Sequence, residues 1–200
     1  MLWEYNISNQ IKEYELRHNP VIITVNEFTE ETAKEFRNKV ALAHNTGQKV
    51  IPVIIDSYGG EVNSLLSMVS TIRNAKLPIA TIVQGKAMSC GAALLTFGTN
   101  GYRFIDQDAT VMVHDVTAGA FGKTEDIVAR AENTKRLSDK IFKMMARNCG
   151  KNDEFFLDML KERDHVDVFL EPEEAIDIGM ADHKRVPSIS VNISVDIKFT

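Results

Sequence analysis

Apolar and polar positions alternate along the chain in blocks that change period, and the changes mark the elements. PVIITV (20–25) is a short β-branched run, read as a strand. Thr29 then caps a helix to Ala43, whose Ala33, Phe36, Val40 and Ala43 fall on one face; Asn45-Thr46-Gly47 stops it. KVIPVIID (49–56) is a second, buried-type strand. Its Pro52 has no amide to give to a ladder, so that part belongs at an edge or a strand start. Ser57-Tyr58-Gly59-Gly60 turns into a helix carrying Val62, Leu65, Leu66, Val69 and Ile72 at helical spacing, closed by Leu77-Pro78. IATIVQG (79–85) is a third strand. Lys86-Ala87-Met88 is read as a turn, and SCGAALLTFG as a short helix beginning at Ser89. Strands follow at 102–104 and 110–114, then a loop with Gly119 and Gly122. The longest helix spans 124–148, with Ile127, Leu137, Ile141, Met144 and Met145 apolar. A helix at 153–162, a DVFL strand at 167–170, a helix at 172–178 and ADHKRV complete the series.

Strand–helix alternation of this kind predicts an α/β protein with a largely parallel sheet and helices on its faces. The two ends break the pattern. Residues 1–19 have weak periodicity and are read as an N-terminal arm. SISVNISVDIKF alternates with period two, so 187–200 is read as a C-terminal strand extension that needs a partner strand. The domain proper is then 20–186.

The chain's 200 residues suit one domain that needs no staple, and 44% apolar with 26% charged residues excludes a wholly disordered chain. A net charge of −5 argues against a nucleic-acid partner. The absence of a long apolar run argues against a membrane span, and the charged start lacks a signal peptide's apolar core. Cys90 and Cys149 match no zinc or CxxC spacing and read as free thiols of a reducing cytoplasm. The five histidines are scattered, so no metal or cofactor is expected.

The chemistry concentrates in Gly85-Lys86-Ala87-Met88-Ser89-Cys90-Gly91-Ala92. A serine at a sharp strand-to-helix turn, followed by the first amide of a helix, suits a nucleophile with an oxyanion-binding donor. It equally suits a helix N-cap. Gly59-Gly60 ends the preceding strand on the same sheet edge, so the Gly60 and Cys90 amides could face one pocket. Alternatively, the glycines merely permit a positive-φ turn. His114 closes a strand 25 residues after Ser89 and could take its proton, or be an ordinary strand histidine. Asp164 and Asp167 are the candidates to orient that imidazole. Asp115, next to His114 on a strand, points to the opposite face.

Taken together, IIDSYGGEV, GKAMSCGA with LLTFGTNGYRF, TVMVHDVTAGAFGKTEDI and DVFLEPEEAIDIGMAD resemble the caseinolytic ClpP family of self-compartmentalising serine peptidases, over roughly residues 50–183. The resemblance implies a ClpP/crotonase-like spiral fold of repeated β-β-α units with an extended handle helix. It implies Ser89 as nucleophile, His114 as general base and Asp167 as its orienter, with the Gly60 and Cys90 amides as oxyanion hole. Gly60-Glu61-Val62 and Val116-Thr117 would hold a peptide or unfolded chain as an added strand. Homo-oligomerisation into heptameric rings stacked in pairs, fed by an AAA+ unfoldase, follows from the same resemblance.

The match has departures. Tyr58 stands where the family's turn carries proline, the stretch from His114 to Asp167 is longer, and PVIID lacks the aromatic residues of the unfoldase pocket, which argues against such a partner. These departures are similar to the divergent members that bacteriophages carry, for capsid maturation among other roles. Other chemistries fit part of the pattern: a triad-bearing but inactive ring scaffold, a crotonase-type acyl-CoA enzyme, an α/β-hydrolase using His183, or a Ser–Lys dyad using Lys86.

Overall fold

The computed structural model describes residues 19–117 and 121–189. The expectations for the arm up to His18, for Gly119 and for the tail from Ser190 fall outside the described residues. Between them run β1 (Ile23–Val25), α1 (Glu30–Ala43), β2 (Ile51–Ser57), α2 (Val62–Asn74), β3 (Ile79–Met88), α3 (Cys90–Thr96) and β4 (Arg103–Ile105). They are followed by β5 (Thr110–Val113), α4 (Thr124–Asn148), α5 (Phe155–Glu162), β6 (Val168–Leu170), α6 (Pro172–Asp177) and β7 (His183–Lys184). The sheet is mixed α/β in the expected sense. Its path β1-β2-β3-β4-β7 is parallel throughout, and β5 joins β3 in parallel while pairing antiparallel with β6.

Local chemistry accounts for the boundaries. The Thr29 hydroxyl accepts the Thr32 amide while Thr32 Oγ1 accepts the Thr29 amide, a reciprocal cap that starts α1. Pro52 sits second in β2. The Ile51 amide donates to Pro78 on the β3 side, so the donor that Pro52 lacks would face β1, whose pairing begins only at Val53.

One expectation is corrected. Lys86-Ala87-Met88 is strand, not turn, and β3 runs ten residues to Met88. Gly85, at φ +90°, lets the strand bend and change neighbours: Thr81–Val83 pair with β4, whereas Lys86–Met88 pair with β5. The preceding units repeat the bend in shorter form. In β2 the register shifts between Ile55 and Ser57, and beyond β1 a single bridge joins Phe28 to Gly60. Each main strand thus continues into a second short segment before its helix, and these second segments carry the residues that turn toward the site.

The helices share one core. Phe36, Leu65, Met68, Leu94, Phe142 and Phe156 pack with alternate strand residues such as Ile23, Ile51, Val53, Ile55, Ile79 and Val83. Helices were expected on more than one face. Among the described residues the opposite face of β3 and β4 instead carries a small cluster of Ala80, Ile82 and Phe104, flanked by Val50. The long helix α4 is divided. From Thr124 to Asn133 it is exposed on every side, whereas Ile141, Phe142, Met144, Met145 and Ala146 are buried. Phe121, just before it, is 94% exposed. Among the described residues nothing covers this first part of α4, which corresponds to the extended handle helix expected from the sequence.

A buried ion pair closes the far side. Arg103, 5% exposed, donates from Nε to Asp182 Oδ2 at 3.0 Å and from Nη1 to the carbonyls of Asn148 and Gly179. It thereby ties β4 to the ends of α4 and α6 and to the approach to β7. Burial alone would raise the Asp182 carboxyl, but the Arg103 guanidinium with the Arg103 and Gly101 amides outweighs it and holds the group below the usual carboxylate range.

Candidate active site

Ser89 directly follows β3, and its backbone departs from helix geometry. At φ +55°, ψ −118° it lies in a region that side-chain-bearing residues rarely occupy, and its hydroxyl makes no cap bond. Ser89 thus stands at the N-cap position of α3 without capping it through its side chain, and the helix starts one residue later than expected, at Cys90. The Ser89 amide donates to Met112 O at 2.9 Å, which fixes the elbow against β5. The hydroxyl meets His114 Nε2 at 2.9 Å. His114, just past the end of β5, turns its other nitrogen toward Asp167, with Nδ1 and Oδ1 3.6 Å apart. That is ion-pair range and slightly beyond a hydrogen bond. The Asp167 side chain is 50% exposed, that of His114 22%.

The two glycines before α2 are demanded by what surrounds them. A Cβ on Gly59 would lie 2.7 Å from Ser89 Cβ and 3.1 Å from its Oγ; one on Gly60 would lie 2.6 Å from Phe28 O. Both sit at positive φ. Gly60 is held by the bridge to Phe28, with Phe28 N donating to Gly59 O and Glu61 N to Phe28 O. No acceptor for the Gly60 amide occurs among the described residues, and the Cys90 amide lies in the first turn of α3, where no intrahelical acceptor exists. The Cys90 thiol bonds Gly60 O at 3.3 Å and so links the two loops; burial pushes that thiol up to about 11, which keeps it a neutral donor.

These residues open onto one cleft of about 360 Å³. Its polar rim holds Gly60, Ser89, His114 and Thr117, and its floor is apolar: Val62, Leu65, Ala93, Ile141, Phe142 and Met145. The structure thus brings together Ser89, His114, Gly60, Cys90, Val62 and Thr117, with Asp167 behind His114. Asp164 is left at the turn before β6.

The side chains that the rival chemistries need lie elsewhere. Lys86 Nζ is 2.7 Å from Asp56 Oδ1 and 4.3 Å from the centre of the Tyr58 ring, and its pKa is raised first by that Asp56 bond. His183 bonds Gly101 O and stacks on Phe104, on the β4–β7 side of the sheet. No group of three or more metal-ligating side chains occurs among the described residues. Among those residues, no helix is long and apolar enough to cross a membrane.

The family model for Clp protease matches residues 6–185 of the 200. The chain belongs to the Clp protease family. Clp proteases are serine peptidases that cleave peptide substrates and generally assemble as oligomeric rings, and the parallel sheet with its projecting α4 is consistent with their fold. Against that family background two features went unread in the sequence. Phe142 and Ala93 looked like ordinary helix positions, yet they floor the cleft, because α3 and α4 pack side by side beneath Ser89. Asp115 and His165 are joined at 2.6 Å beside the His114–Asp167 pair. Asp115 had been noted only for pointing away from His114.

Proposed function

We propose that this Clp protease family member is a serine endopeptidase using Ser89 as nucleophile, His114 as general base and acid, and Asp167 to orient His114. The observation that carries the assignment is the 2.9 Å Ser89–His114 contact at a strained strand–helix elbow, opening onto an apolar cleft. Ser89 Oγ attacks the scissile carbonyl while His114 Nε2 takes its proton. The carbonyl oxygen, now an anion, receives the Gly60 and Cys90 amides. One such donor is worth about 10²–10³ in kcat. Collapse expels the amine, protonated by His114, and leaves an ester on Ser89. Water, deprotonated by His114, then releases the acid and restores the serine.

Substrate binds as an added strand. The Glu61 amide is committed to Phe28 O, and Gly60 and Val62 on either side of it line the cleft, where a substrate main chain would pair. Val116-Thr117 lines the opposite wall. Main-chain recognition of this sort accepts many sequences, with selectivity left to the apolar floor.

Assembly is part of the proposal. Asp167 is half-exposed and just out of hydrogen-bond reach, and the first part of α4 is uncovered among the described residues. Packing of subunits into paired heptameric rings would order both, so activity follows oligomerisation. Light scattering run beside a fluorogenic-peptide assay tests this. Activity should elute with the oligomer; a fully active monomer contradicts it.

A further inference from the structure

Two loops bring the triad's histidine and aspartate together, and a second pair of side chains ties those loops to each other. Asp115 follows His114; His165 lies two residues before Asp167. Asp115 Oδ2 and His165 Nδ1 are 2.6 Å apart, much closer than the 3.6 Å between His114 and Asp167. We propose that the Asp115–His165 pair is a latch that sets the distance of Asp167 from His114, which makes both of them positioning residues for the reaction. The inference rests on the triad assignment above.

The turn that holds His165 needs such a tie. Asp164 and His165 stand consecutively at φ +53° and +60°, a left-handed pair that ordinary residues disfavour. Backbone bonds from Asp164 N to Lys161 O and from His165 N to Leu160 O anchor the turn to the end of α5, but neither reaches the His114 segment. On the far side, β5 and β6 pair from Val113–Val168 onward, so the register begins one residue beyond Asp167 and ends one before His114. His114 and Asp167 therefore sit just outside the ladder, where the strands are free to splay. The latch closes that open end from the other side. Asp115 and His165 line a second groove of about 810 Å³ between α4 and α5 that meets the apolar cleft at Val116, and neither of the two lines the cleft itself.

Replacements in the assembled full-length protein test this. D115A and H165A should each lower kcat about tenfold, with KM within twofold, and the double variant should lose no more than either single one. In a D167A background the same changes should have no further effect, because the latch acts only through Asp167. H165N, whose side-chain amide can replace the Nδ1 donor and whose backbone tolerates positive φ, should recover most of the rate. Hydrogen exchange supplies a readout independent of turnover: D115A should speed exchange at amides 166–168 and leave α1 and α2 unchanged. Undiminished kcat in D115A, additive loss on D167A, or unchanged exchange at 166–168 would each overturn the latch. Failure of the wild type to turn over peptide, with exchange responding as described, would instead count against the triad assignment.

Discussion

Gly59 and Ser89 touch across the site: the space where a Gly59 Cβ would go is filled by the Ser89 side chain, 2.7 Å away. Ser89, the proposed nucleophile, is seated on a glycine from the turn after β2, and any side chain there has to displace it. Gly59 also adopts φ +111°, a region close to glycine-only. G59A is therefore expected to destabilise the fold by about 1–3 kcal/mol and to cut kcat at least about tenfold even where folding is retained. Thermal melts and steady-state kinetics on one preparation check both; wild-type kcat in a folded G59A would show that the seat does not matter.

Of the three residues in the proposed triad, Asp167 should matter least. Removing the orienting acid of a buried triad costs about 10⁴ in kcat. Here the carboxylate is half-exposed and 3.6 Å from the imidazole. D167A is expected to lose about 10²–10³ in kcat, whereas S89A and H114A lose all measurable turnover; kinetics at constant oligomeric state decide.

The Arg103–Asp182 pair makes a stability prediction with a defined sign. The folded Asp182 carboxyl is held below its ordinary value by Arg103, against the opposing effect of burial. The folded state therefore binds fewer protons than the unfolded chain. The pair's contribution is complete above the unfolded value of about 4 and is lost as pH falls through the lower, folded value. D182A leaves a buried guanidinium without its carboxylate and should cost about 3 kcal/mol at pH 7. Its denaturation midpoint should also fall less steeply than the wild type's below about pH 4. Urea titrations across pH test this, and parallel acid slopes would contradict it.

Under the proposed function, the cleft floor would set substrate choice. Leu65, Ile141, Phe142 and Met145 offer no partner for a charge, and Glu61 at the same cleft repels an acidic one. Peptides with Leu, Met or Phe before the scissile bond should be cleaved with kcat/KM at least about 10² above those with Asp. A fluorogenic series measures this; a flat profile would place the side chain elsewhere.

Much of this was legible in the chain. The periodicities at Ala33–Ala43, Val62–Ile72 and Ile79–Gly85 locate α1, α2 and the first half of β3, because burial against one core enforces them. The second half of β3 was not legible. Lys86-Ala87-Met88 has a turn's composition, and its pairing with β5 and with Ser57 of β2, distant in sequence, makes it strand. Ser89 and His114 could be singled out by position, since strand ends share a sheet edge. Their 2.9 Å contact, the seat on Gly59 and the Asp115–His165 pair arise from how three bent strands and a turn converge, and local pattern does not encode that.

Ser89 is proposed to be a nucleophile activated by His114. An alkyl fluorophosphonate reacts with such a serine and leaves capped or buried serines alone, so the most direct measurement is labelling of the assembled protein, mapped by peptide mass spectrometry. The expected result is one stoichiometric adduct on Ser89, abolished in S89A and slowed at least about 10³-fold in H114A. No adduct on Ser89 in the oligomer, or equal labelling in H114A, would contradict the account.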